Sequence, residues 1–334
     1  MLAIKAAQMR GAAPPRICLV LETEEESGSA NLLTLLDVAK DFIGSPDYCF
    51  CMDSGAFNYD QLWCTSSLRG ITIVELIVEF AKGGYHSGEV GGIIPETFRI
   101  VRSLLDRVDD SASGMAAPEF QVEIPEWARR EAQVMAELSG DSMHAKYDYH
   151  EGCRPMDVDN LAEMYLNNTW RANLSITGAS GLPDTSIAGN VVRASTSVKL
   201  SLRLPPSKNP QEAEAALIEK LTTNVPYNAK VTAKGGHMGS GWCMKDMPEW
   251  LDTAMRKAGR DFFDGRDTGT YGMGGSIPFL AELGKMYPES TIMAFGLIGP
   301  KANAHAPNEC INLTYAKKLT CALSHLIAEV AAKE

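Results

Sequence analysis

The chain has 334 residues, 45% of them hydrophobic, which is enough for one large or two ordinary domains with well-filled cores. A net charge of −11, with no basic cluster to offset it, argues against a nucleic-acid partner. Nothing approaches the roughly 18 consecutive apolar residues of a membrane span, and no small-residue cleavage site follows a basic start, so neither a membrane segment nor a signal peptide is expected.

Residues 1–10 place apolar side chains on one face and predict a helix, which opens with no strand, linker or cap before it. A short apolar run over 17–22 predicts a buried parallel strand. It ends abruptly in Glu22-Thr-Glu-Glu-Glu26. A helix is expected over 31–42, with Ser27 and Ser29 as plausible caps, followed by a strand over 47–52. That alternation reads as βαβ units and a parallel sheet. Carboxylates at the carboxyl end of a strand sit where open α/β sheets place their ligands. Neighbours in an extended segment point opposite ways, so Glu25 and Glu26 can divide two jobs. One binds a metal and the other holds the water that the metal activates. The plainer alternative is a solvated acidic loop.

From about 66 to 239 the pattern changes. A strand over 70–80, a helix over 94–108, a strand over 197–204, a helix over 210–222 and a strand over 229–233 suggest a smaller α+β domain. The stretch 110–155 is rich in Ala, Met and Glu and shows no motif. Residues 240–334 return to α/β, with a helix over 248–263, a strand over 290–297 and a closing amphipathic helix over 313–332. The simplest topology joins 1–65 and 240–334 into one domain, with 66–239 inserted in it. The eight cysteines are scattered and form no Cys-x-x-Cys, so free thiols in a reducing cytoplasm are expected.

Asp53, in Cys51-Met-Asp-Ser-Gly55, ends the second predicted strand, and neighbouring parallel strands would bring it near Glu26. His305 falls between the strand over 290–297 and the final helix, again at a carboxyl strand end. Alone, Asp-Ser-Gly is an ordinary turn and a loop histidine an ordinary surface residue. Delivered together to one rim, a mixed imidazole and carboxylate set suits zinc, or else manganese or cobalt.

Six segments occur together in order: Glu25-Glu-Ser-Gly-Ser29, the Asp53 strand end, Gly84-Tyr-His-Ser-Gly88, Ser201-Leu-Arg-Leu-Pro205, Gly274-Gly-Ser-Ile-Pro278 and Asn303-Ala-His-Ala-Pro-Asn-Glu309. As a set they resemble the M20 metallopeptidases, most closely the cytosolic nonspecific dipeptidase and carnosinase branch, over nearly the whole chain. The resemblance implies a zinc-peptidase-like α/β catalytic domain, with a parallel-rich sheet flanked by helices and a co-catalytic pair of zinc ions. It also implies an inserted α+β lid that forms a homodimer. On that basis Glu25 would be the general base, Glu26 and His305 ligands of one zinc, and Asp53 a ligand of the other. His86 would reach from a partner's lid to stabilise the oxyanion. Asn190 and Arg203 would hold the substrate's carbonyl and terminal carboxylate, with His237 and Ser276 lining the same pocket. The substrate would be a dipeptide, a short peptide or an acylated amino acid.

Family members carry a His-x-Asp motif and a later Asp-Asp upstream of the paired glutamates, and this chain has neither. The resemblance is therefore to a member lacking its amino-terminal part. One zinc would keep only Glu26 and His305, and the other only Asp53, against the three or four protein ligands of stable zinc sites. Two further readings follow: a catalytically impaired dimeric binding module, and an amidohydrolase of N-acyl amino acids.

Overall fold

The computed structural model describes residues 1–11, 15–27, 29–145 and 147–333, without the side chain of Glu26. In chain order its strands are β1 (Tyr48–Gly55), β2 (Trp63–Leu68), β3 (Gly70–Glu79), β4 (Tyr85–His86), β5 (Asn173–Ser180), β6 (Val191–Val192), β7 (Ser195–Leu204), β8 (Lys230–Gly239), β9 (Trp242–Cys243), β10 (Gly269–Met273) and β11 (Thr291–Ile298). The chain divides into two compact units. The first comprises Met1–Ser67, Cys243–Gly272 and Phe279–Glu334; the second comprises Leu68–Trp242 and Met273–Pro278.

The first unit is built on a mixed sheet in the order β1-β11-β2-β10, with β9 beside β2. β1 and β11 run parallel, whereas β11 and β2 are antiparallel. β11 reads as an almost unbroken apolar run because five successive residues, Ile292 to Gly296, are buried. Every residue of β2 is buried too, yet its centre is Thr65-Ser66-Ser67, which hides it from a hydrophobicity pattern. Thr65 finds an internal partner, its Oγ1 lying 2.5 Å from Ser54 Oγ, whereas Ser67 Oγ is buried with no hydrogen-bond partner among the described residues. Helices Leu2–Met9, Glu249–Phe262 and Leu313–Ala331 pack together in the same unit.

Two expectations are corrected here. Residues 17–22 form no strand, and Leu19, Val20 and Leu21 are exposed. A strand exists only where a neighbour completes its ladder, and no described strand pairs with this run. Arg16 anchors the segment instead, donating to the carbonyls of Ile43 at 2.7 Å and Phe42, while Cys18 packs against the Leu32, Leu36 and Ile43 cluster. The helix expected over 31–42 is split into Leu32–Val38 and Lys40–Ile43, with Ala39 at the junction. Neither Ser27 nor Ser29 caps it. Ser27 Oγ donates to Glu24 O at 3.0 Å, Ser29 sits at φ 51°, and Asn31 is the residue before the helix.

The second unit is an antiparallel sheet in the order β5-β7-β3-β8. β3 pairs with β7 along its full length, from Gly70 opposite Leu204 to Glu79 opposite Ser195. Alternation then sorts the side chains. Val74, Leu76 and Val78 on β3 and Val198, Leu200, Leu202 and Leu204 on β7 form one core with helices Thr97–Leu105 and Pro210–Thr222. Both helices are capped by local sequence. Glu96 accepts from the amides of Phe98 and Arg99 at 2.9 and 2.8 Å, and Asn209 accepts from Gln211 and Glu212 ahead of Pro210. The motif-free stretch 110–155 contains helix Glu126–Ser139, packed on Leu161–Thr169. Its buried stripe is Ala128, Glu131, Ala132, Met135 and Ser139, which has helical spacing but too little apolar bulk to register as a pattern. Among the described residues no helix is long and apolar enough to cross a membrane.

His325 lies buried on the closing helix, beside Phe262 and 3.6 Å from Glu329. Burial lowers its pKa below the ordinary 6.5. The charges of Lys257 and Arg10 act in the same direction, and those of Glu329 and Asp261 oppose it. The unfolded chain therefore takes up the proton first, so this residue's stabilisation is full above about 6.5 and declines as pH falls through the lower folded value. Thermal melts between pH 8 and pH 5 should show a falling midpoint that His325→Gln flattens; identical pH slopes in the two proteins would refute this.

Candidate functional site

The acidic candidates belong to the first unit. Glu24 is the organiser of its own run: its carboxylate accepts from Asn31 Nδ2 at 3.0 Å and from the Asn31 amide at 3.3 Å, and its carbonyl accepts from the amides of Ser27 and Ser29. The adjacent short 3-10 turn, Glu25–Ser27, is thereby held in place, and it carries both Glu25 and Glu26. Glu25 is half-buried there, while the side chain of Glu26 lies outside the described residues.

Asp53 lies within β1, not at its end. Cys51 faces Ala294 and Ser54 faces Gly296, so Met52 and Asp53 together oppose Phe295. This is a bulge, a device that re-aims a side chain, and it leaves Asp53 exposed. Gly296 is required opposite it, because an added Cβ would lie 1.3 Å from Ser54 O. Burial pushes the Cys51 thiol up to about 11; the Asp53 amide opposes that rise, while the negative charges of Asp53, Cys49 and Glu25 add to it. His305 is exposed in the loop after β11, at φ 60°.

The remaining candidates belong to the second unit. Arg203 projects from the β7 face opposite the helix-covered core, between Ile71 on β3 and Asn173 on β5. Its Nη1 donates to Ser276 Oγ at 3.4 Å, and burial lowers its pKa. Ser276 precedes helix Pro278–Met286 in the loop after β10. His237 is exposed in a β8 bulge, two residues before Gly239, which faces Ile71. His86 and Asn190 meet in the β4-β6 ribbon: His86 faces Val191, and the Ser87 amide donates to Asn190 O at 2.9 Å. The Gly88 amide donates to His86 Nδ1 at 3.2 Å, which places the proton of the neutral ring on Nε2. Sequence reasoning missed Arg69, a buried guanidinium that donates to Gly274 O at 3.1 Å. Its only sequence signal was a cation directly before an apolar strand.

The chain belongs to the peptidase family M20/M25/M40, whose model matches residues 1–329. It is 24% identical over 325 residues to the cysteinylglycine-S-conjugate dipeptidase of Corynebacterium striatum, covering 93% of this chain and 66% of that protein. It is 25% identical over 282 residues to a Cys-Gly metallodipeptidase of Candida albicans, covering 81% of this chain and 57% of that protein. Human carnosine dipeptidase 1 shares the fold with a TM-score of 0.67 at 21% identity, over 92% of this chain and 64% of that one. The chain therefore spans about two-thirds or less of the length of these relatives.

The family's peptidases depend on metal. Among the described residues no group of three His, Cys, Asp or Glu side chains converges as a metal ion requires. Glu26, Asp53 and His305 are three donors in all, the number that a single catalytic zinc site takes from protein, whereas two ions need about twice as many. The donor set does not fit a closed two-metal centre. After dialysis the 334-residue chain is accordingly expected to retain less than one zinc per chain by elemental analysis, and two tightly held ions would overturn that expectation.

Proposed function

We propose that the chain acts as a metallopeptidase on dipeptides or on the C-terminal residue of short peptides. The observation that carries this reading is Arg203: a half-buried guanidinium beside a hydroxyl, with no carboxylate partner among the described residues. Its planar fork matches a terminal carboxylate, whose two oxygens it can hold at once. Residues 1–65 and 240–334 serve as the catalytic domain and 66–239 as the lid.

Glu25 is the general base, taking a proton from the attacking water and returning it to the leaving amine. Its place on a turn braced through Glu24 and Asn31 supports that role. His86 offers an outward Nε2–H to the oxyanion of a substrate bound by a second copy, which makes the working form a homodimer through the lid. Asn190 holds the substrate carbonyl, Arg203 its carboxylate, and His237 and Ser276 line the pocket. Glu26 and His305 on one side and Asp53 on the other are the donors assigned to two zinc ions, with manganese or cobalt compatible. No step here depends on the ion. Eight free cysteines fit a reducing cytoplasm. The shortage of metal donors favours a second reading, a carboxylate-binding dimer without turnover.

With zinc supplied in the buffer, Glu25→Gln should slow dipeptide hydrolysis by ~10²–10⁴-fold, since the amide keeps the shape but cannot carry the proton. Arg203→Ala should weaken capture of a free-carboxylate substrate by ~1.5–3 kcal/mol and leave its C-terminal amide unaffected. Equal rates for Glu25→Gln and wild type would overturn the proposed base. Carboxylate binding without any turnover would favour the second reading. Sedimentation at micromolar concentration should show a dimer, with His86→Ala losing activity but not association. A wild-type monomer would exclude a role for His86 in a partner's site.

A further inference from the structure

Arg69 is, among the described residues, the one buried arginine or lysine, at 7% exposure. Its guanidinium is engaged with backbone. Nε donates to Gly274 O at 3.1 Å, and Nη1 to Asn167 O at 3.4 Å and Arg171 O at 3.5 Å. Its own amide donates to Gly275 O at 3.1 Å. Both main chain and side chain of one residue therefore grip the Gly274-Gly275 pair directly before Ser276. The grip is tight, since a Cβ on Gly274 would come within 2.8 Å of Asn168 Oδ1.

Ser276 Oγ in turn accepts from Arg203. Arg203 stands opposite Ile71, and Arg69 lies two residues before Ile71, so both arginines share the sheet face that the helices leave uncovered. The guanidiniums repel one another: burial first, and then the Arg203 charge, lower Arg69 to about 10. No carboxylate offsets either charge among the described residues. A buried cation beside a second cation, with no acid near, is an arrangement that an arriving anion relieves.

We propose that Arg69 is a positioning residue of the carboxylate subsite. It locks the Ser276 loop so that the Arg203 fork and the Ser276 hydroxyl are preset for a ligand's terminal carboxylate, and its charge sharpens selection of carboxylate over amide. The inference rests on the reading of Arg203 as the carboxylate clamp. It deepens that reading by making the subsite a two-cation device in which one arginine binds and the other aligns.

The test uses the full chain and two probes that cannot be cleaved: a dipeptide analogue whose peptide bond is reduced to an aminomethylene link, with its C terminus either free or amidated. Calorimetry should show wild type preferring the free acid by about tenfold, as a charge-assisted contact allows. Arg203→Ala should abolish the preference. Arg69→Gln should reduce it about fivefold with the affinity for the amide unchanged. General loosening of the fold would weaken both probes alike, so the ratio reports positioning. Arg69→Lys keeps the charge but cannot hold three carbonyls, and it should remain about threefold below the wild-type ratio. If Arg69→Gln does not fold, Arg69→Lys supplies the measurement. A wild-type ratio in the folded Arg69 variant overturns the role of Arg69 while leaving Arg203 as the clamp. Equal affinity of wild type for both probes overturns the clamp and this role together.

Discussion

The alternation of side chains along β3 is the constraint on which the second unit depends. β3 is flanked on both sides, by β7 and β8, so its register determines what its neighbours present to each face. Val74, Leu76 and Val78 must point to the helices, because fully burying each stabilises the fold by about 1.5–3 kcal/mol. Ile71 then points the other way, and with it Arg203 opposite and Arg69 two residues earlier. Slipping the pairing by one residue would bury both charges against leucines and expose the core. The apolar face therefore holds the cations of the other face in place.

The first unit solves the same problem differently. Its parallel pair β1-β11 is interrupted where Asp53 lies, and the interruption is tolerated only because Gly296 has no side chain to meet Ser54 O. A regular ladder would have continued the alternation; the bulge lets Met52 and Asp53 both be exposed. Glu25 has no strand to hold it. Its position comes from a single three-residue turn braced through Glu24 and Asn31, both partly or fully at the surface.

Charge is distributed to match. Burial, and after it the charges of Asp53, Cys49 and Glu25, raise the Cys51 pKa. Arg69 and Arg203 present the opposite field, with no acid beside them among the described residues. In a chain of net charge −11, two guanidiniums on one sheet face that no described carboxylate offsets are the more informative feature. Surface ion pairs such as Lys40–Asp37 and Arg130–Glu126 are exposed on both sides and contribute little.

Strong periodicity made the helices around 97–105, 210–222, 249–262 and 313–331 and the strands around 70–79, 195–204 and 291–298 legible in the sequence, because apolar spacing and local caps are written in neighbouring residues. β2 was not legible, since Thr65, Ser66 and Ser67 are polar residues that the surrounding sheet buries, Thr65 with Ser54 as its partner. Residues 17–22 misled for the converse reason: apolar content cannot supply a neighbouring strand. The motifs named Glu25, Asp53, Arg203 and Ser276 as candidates, but only the fold moved Asp53 into a bulge, seated Ser276 on Arg203, and revealed Arg69 behind it. Sequence by itself determined which residue types were present and which faces must be buried. Tertiary structure decided which charges meet, because desolvation and the bonds that brace a loop depend on residues more than a hundred positions apart, as between Arg69 and Gly274.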